Sequence, residues 1–104
     1  MVYRLIITQS FEDDLDSVLQ YISQNLHSPI AANRLLNKVS EITSSIHDNP
    51  FLYPKYHDEK LSEKGYHYAV AANYLIFYKI YEAESLISIM RFLYGGQDVI
   101  NILN

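Results

Sequence analysis

Two segments near the C-terminal end restrict the folding of this chain more than any other feature. One reads Asn73-Tyr74-Leu75-Ile76-Phe77-Tyr78-Lys79-Ile80. The other reads Ser85-Leu86-Ile87-Ser88-Ile89-Met90-Arg91-Phe92-Leu93-Tyr94-Gly95-Gly96-Gln97-Asp98. β-branched, aromatic and other apolar residues dominate both, and only Tyr81-Glu82-Ala83-Glu84 joins them. They read as a tight antiparallel hairpin, with strands over residues 73–81 and 85–93. Two amphipathic helices come before it. In the first, Phe11, Leu15, Val18, Leu19, Ile22 and Leu26 recur at three- and four-residue spacing, the signature of one apolar helix face. Ser10 is the expected N-cap, and Glu12, Asp13 and Asp14 favour the positive end of the helix dipole. This helix should end near Asn25. Ser28-Pro29 then starts a second helix, since a capping hydroxyl is followed by a proline where no amide partner is needed. Its stripe is Ala32, Leu35, Leu36, Val39, Ile42 and Ile46, and Asn49-Pro50 closes it. So short a connection makes the two helices antiparallel neighbours.

The remaining segments complete the order. Residues 2–8 read as a first strand whose apolar run suggests burial on both faces or a central position. Residues 51–64 read as a loop, because Pro54 and the charges forbid a simple strand; the rings of Phe51, Tyr53 and Tyr56 should pin it. Gly65 opens a second strand over residues 66–72, where Tyr66, Tyr68 and Val70 alternate with His67, Ala69 and Ala71. Residues 98–103 suit a terminal helical turn or two. The order is β-α-α-β-β-β. It predicts an α+β domain spanning residues 1–104, with a helical hairpin packed on one face of a mainly antiparallel four-stranded sheet. The opposite face is left to solvent or to a partner.

Composition removes several function classes. The chain has no cysteine, which excludes a disulfide scaffold and thiolate metal sites. Its four histidines show no ligand spacing, so neither a metal nor another cofactor is expected. Net charge is −4, and the eight basic residues are scattered. Nucleic-acid affinity needs clustered Lys and Arg, so direct nucleic-acid binding by the chain alone is not expected. No segment has the length of a membrane span, and the N-terminal apolar stretch is too short for a signal peptide. A soluble, cytoplasmic protein is the expectation.

The strand Tyr74-Leu75-Ile76-Phe77-Tyr78-Lys79, the strand end Met90-Arg91-Phe92-Leu93-Tyr94-Gly95, Asp98 before an apolar tail, and the helical hairpin leading into Asn49-Pro50-Phe51 together resemble the RelE/ParE superfamily. These are the small toxins of bacterial type II toxin–antitoxin systems, and the resemblance covers nearly the whole chain. It implies a cognate antitoxin, growth inhibition and a role in plasmid stabilization. It also implies one of two mechanisms. RelE-like and YoeB-like members are ribosome-dependent mRNA endonucleases, which need cations on the RNA phosphate and groups that move protons. ParE-like members bind DNA gyrase or a related topoisomerase and need an interaction surface instead.

The residues favour the second. Leu75 stands where the nucleases carry an arginine. Tyr66, His67 and Tyr68 occupy the strand where RelE-like members carry lysines. Leu93-Tyr94 replaces a His-Tyr pair, and Gln97 follows the glycine turn where a basic residue is usual. A divergent nuclease would have to rely on His67, Arg91 and Tyr94. An interaction surface for the target or antitoxin would use Tyr66, Tyr68, Tyr74, Arg91 and Tyr94. A third reading is a detoxified relative that keeps only antitoxin binding. Each residue also has a plain structural reading. Arg91 would sit in an ion pair with Glu41, Asp98 or Glu12, Tyr94 would pack at a strand end, and His67 would be a hydrogen-bonded strand residue. The acidic turn of Glu12, Asp13, Asp14 and Asp16 would be a solvated helix start. The antitoxin is expected to be a disordered segment that folds on binding as a helix or an added strand.

Overall fold

The apolar periods in the sequence become the elements they predict. The computed structural model describes residues 2–104; Met1, part of the N-terminal stretch read above, lies outside them. The elements are β1 (Arg4–Ile7), α1 (Gln9–Gln20) continuing into a π-helical turn (Tyr21–Asn25), α2 (Pro29–Asp48), α3 (Glu59–Glu63), β2 (His67–Ala71), β3 (Tyr74–Tyr81), β4 (Leu86–Tyr94) and α4 (Val99–Leu103). The sheet order is β1-β4-β3-β2. β4, β3 and β2 form an antiparallel meander, and β1 lies parallel to β4.

β1 is therefore an edge strand, not a central one. Leu5 packs toward the helices, while Ile6 and Ile7 are each 45 % exposed. An apolar run signals a parallel strand, but it cannot say how many neighbours that strand has. The cap of α1 also differs from expectation. Thr8, in extended conformation, accepts the Phe11 N–H at 3.1 Å, and Ser10 lies inside the helix. The same Thr8 hydroxyl donates to the Met90 carbonyl at 2.8 Å. One side chain thus starts the helix and fastens it to β4, a tie that only the tertiary fold could favour. Ser28 caps α2 as expected, accepting from the Ala31 N–H, with Pro29 in the first turn.

One face of the sheet packs on the helical hairpin. Phe11 of α1 and Leu35, Val39, Ile42 and Ile46 of α2 meet Ala69, Ile76, Tyr78, Ile87, Ile89 and Phe92. The other face is not left bare. Phe77 and Leu93 are buried there with Tyr66, under Leu61 from α3 and Val99 and Leu103 from α4. The stretch read as a loop thus contains a short helix, capped by Asp58, whose carboxylate accepts the Leu61 N–H at 3.1 Å. Upstream of it, the Tyr56 N–H donates to the Tyr66 carbonyl and the Tyr68 N–H to the Pro54 carbonyl. Pro54 keeps this stretch from being a regular strand, yet it still closes part of the β2 edge.

β4 contains a bulge opposite the Phe77/Tyr78 step. Ile89 and Phe92 are three residues apart, and both face the helices. A regular strand forbids this, because its side chains alternate. The extra residue restores the facing of Phe92 and places Arg91 at the rim of the sheet beside α1.

Candidate functional site

Arg91 makes the most specific polar contact in the molecule. Its Nε donates to Asp14 Oδ2 at 2.7 Å and its Nη2 to Asp14 Oδ1 at 3.0 Å. The Phe92 N–H donates to the same carboxylate at 3.1 Å. The partner is Asp14, not Glu41, Asp98 or Glu12. The hydrogen bond to Asp14 is the main reason that the Arg91 pKa lies above its ordinary value, against an opposing effect of burial. Asp14 is accordingly no solvated first-turn acid; its side chain is 17 % exposed. A signal for this was present in the sequence. Phe11, Asp14 and Val18 recur at three- and four-residue spacing, so Asp14 lies on the buried stripe of α1, where a carboxylate needs a partner.

The other candidate residues fall into separate groups. His67 is buried and faces the helices. It stacks on Tyr78 with ring centroids 5.2 Å apart, and its Nδ1 is 2.8 Å from the Tyr53 carbonyl. Tyr66 and Tyr68 point to the other face, where Tyr66 packs edge-on to Phe77 and Tyr68 edge-on to Tyr56. Lys79 sits on that face too, with its ammonium 4.5 Å from the centre of the Tyr66 ring, a cation–π contact. Tyr74 and Tyr94 are register partners at the end of the hairpin and meet edge to face at 5.9 Å. Tyr94 is 51 % exposed. Its ring lies over Gly96, where an added Cβ would come within 2.6 Å of it. His67, Arg91 and Tyr94 thus occupy three places, and strand alternation prevents Tyr66, Tyr68, Tyr74 and Tyr78 from forming one aromatic platform.

Four of the phenols are tuned away from acid–base work at neutral pH. Burial is the leading cause that raises the pKa of Tyr56, Tyr66 and Tyr74 above the ordinary 10, and it pushes Tyr78 up to about 12. These four stay protonated and neutral in the physiological range. Among the described residues, no group of three or more His, Asp or Glu side chains could hold a metal ion. No helix among them is long and apolar enough to cross a membrane.

A feature that sequence reading missed is a groove at the end of the helical hairpin. Ile22 of the π-helical turn and Leu26 just after it, Ala31, Arg34, Leu35 and Lys38 of α2, and residues 72–74 enclose about 390 Å³. Its lining joins the helical connection to residues 72–74, some distance along the chain, so no local pattern announces it.

Comparison with known proteins places this arrangement. Residues 5–99 match the family described as ParE toxin of type II toxin-antitoxin system, parDE. No curated protein matches the sequence. Among solved structures, the chain is similar to one of the chromosomal ParDE toxin–antitoxin system from P. aeruginosa, with TM-score 0.70 and 14 % identity over 89 % of this chain and 96 % of that one. It is similar to one of the toxin–antitoxin complex RelBE2 from Mycobacterium tuberculosis, with TM-score 0.65 and 19 % identity over 90 % and 99 %. A third likeness is to the archaeal RelE–RelB complex from Pyrococcus horikoshii OT3, with TM-score 0.63 and 16 % identity over 93 % and 99 %. At these identities the structures speak to the fold, and it is the family match across nearly the full length that assigns the chain. It belongs to the ParE toxin family of type II toxin–antitoxin systems, within the RelE/ParE superfamily.

Proposed function

We propose that this toxin arrests growth from the cytoplasm by binding a protein target, a type II topoisomerase such as DNA gyrase, and that a cognate antitoxin neutralises it. The observation that carries this reading is the engagement of the cations on β3 and β4. Arg91 is held bidentately by Asp14, and Lys79 lies on the Tyr66 ring. A nuclease needs unengaged cations aimed at a phosphate, and the loss of one such group costs orders of magnitude in rate. The separation of His67, Arg91 and Tyr94 supports the same reading, because proton transfer needs groups within hydrogen-bond reach of one reacting centre.

Two assays on the purified protein and on induced cells decide between the mechanisms. Gyrase supercoiling should be inhibited, with an accumulation of double-strand breaks, and mRNA 5′ ends should be unchanged. Codon-positioned mRNA cleavage that vanishes in Arg91→Ala would overturn the proposal in favour of a divergent nuclease. Binding of the antitoxin with no growth arrest would instead mark a detoxified relative.

A further inference from the structure

We infer that Arg34 and Lys38 select the antitoxin: the groove they flank takes an apolar helical segment that carries acidic residues one turn apart. This rests on the reading of the chain as a toxin that an antitoxin neutralises, and it adds which surface and which chemistry decide the pairing. The groove is lined by the apolar side chains of Ile22, Leu35 and Tyr74, with Leu26 at its rim. Apolar side chains continue past its rim, with Tyr21 52 % and Ile30 68 % exposed. An apolar surface of this kind marks a docking site, and about 390 Å³ accommodates several side chains of a partner. The lining contains no Asp or Glu. Its charged residues are Arg34 and Lys38, both exposed and one turn apart on α2. Among the described residues neither forms an ion pair, whereas Arg91 does. In a chain of net charge −4, this is a locally positive strip beside an apolar trough. A helix with Glu or Asp at i and i+4 presents its carboxylates at the same spacing as the two cations. Its apolar residues at intervening positions then fill the trough. Charges at the rim of an interface contribute mainly to the choice of partner. A basic segment of the same apolar pattern is therefore refused.

A charge swap tests this. Two synthetic peptides of about 14 residues, long enough for a marginal helix, share one leucine pattern and differ in carrying paired Glu or paired Lys. Titration by calorimetry, with amide shifts followed at Ala72 and Asn73, should show the Glu peptide binding at least about tenfold tighter than the Lys peptide. The preference should shrink at high salt. The double variant R34E/K38E should invert it, and Arg34→Gln with Lys38→Gln should abolish it while far-UV circular dichroism stays unchanged. Binding of neither peptide, a preference that survives charge reversal, or self-association that buries the groove would overturn the inference. The toxin reading is scored separately in cells. Growth arrest by R34E/K38E that the product of the neighbouring open reading frame no longer relieves, although it relieves the wild type, supports the selection. A wild type that causes no arrest removes the toxin reading and leaves the peptide result standing.

Discussion

On the helix side of the sheet, two long helices with regular apolar stripes supply the cover, and most of the stripe residues pack in one cluster with β2, β3 and β4, while Leu26 and Leu36 stay exposed. On the far side, the cover comes from two five-residue helices and a proline-containing stretch, yet Phe77 and Leu61 beneath it are as fully buried as Ile46 and Ile76. Depth of burial is equal, but the kind of sequence that achieves it is not. Short helices have little stability of their own, so the far-side cover depends on its anchoring rings and on Leu61, Val99 and Leu103. The far side should therefore open more readily than the helix side while contributing comparably to global stability.

Substitution at adjacent positions of β3 breaks or confirms this equality. Ile76 faces the helices and Phe77 the short elements, and both have no exposed surface. Phe77→Ala should cost about 3–5 kcal/mol and Ile76→Ala about 2–5 kcal/mol in denaturant unfolding. A cost for Phe77→Ala below about 1 kcal/mol would mean that the far face is a loosely covered docking surface and not a second core. Native-state hydrogen exchange sharpens the comparison. Amides of α3 and α4 should exchange through low-energy openings, and those of β3 only through global unfolding.

The Asp14–Arg91 pair links the two sides at the rim, and its removal should have the next largest effect. Asp14→Ala leaves a partly buried guanidinium unpaired and orphans the Phe92 N–H. Fully buried pairs broken in this way lose about 3–5 kcal/mol. With side-chain exposures of 30 % for Arg91 and 17 % for Asp14, about 2 kcal/mol is expected after solvent screening. A double-mutant cycle with Arg91→Ala should return a coupling of about 1 kcal/mol or more. A coupling near zero would show that Arg91 is available to other partners, and it would reopen the nuclease reading.

The same contrast explains what the sequence made legible. The helical hairpin, the meander and their order follow from 3.6- and 2-residue periodicity, and Ser28-Pro29 marks its boundary by chemistry that acts within one turn. Thr8 was not recognisable as a cap, because half of its hydroxyl's bonding lies 82 residues away at Met90. The α3 helix was hidden because one buried residue, Leu61, shows no period. The edge position of β1 depends on pairing, which composition does not encode. Among the candidate residues, neither the pairing of Arg91 with Asp14 nor the separation of His67, Arg91 and Tyr94 could be read from the sequence. The bulge opposite Phe77 changes which residues share a face, and neither a glycine nor a proline announces it.

The smallest expected effect separates the two sides by pH. Tyr78 is buried on the helix side, and its hydroxyl donates to the Pro50 carbonyl at 2.8 Å. Tyr78→Phe keeps the ring and removes that bond, for an expected loss of about 1 kcal/mol at neutral pH. Burial holds the Tyr78 pKa at about 12 in the folded chain, against an ordinary value of 10. The folded state therefore keeps its proton longer than the unfolded state. Its stabilising share is fully present below pH 10 and is lost as pH rises from 10 through about 12. Tyr56 and Tyr66 on the far side and Tyr74 at the hairpin end are raised by burial as well, so the wild type should lose stability across this window on both sides of the sheet. In Tyr78→Phe the loss should be shallower by the Tyr78 share alone. Unfolding free energies measured between pH 9 and pH 12 would check this; identical slopes for wild type and Tyr78→Phe would mean that alkaline unfolding begins on the far side, before Tyr78 ionises.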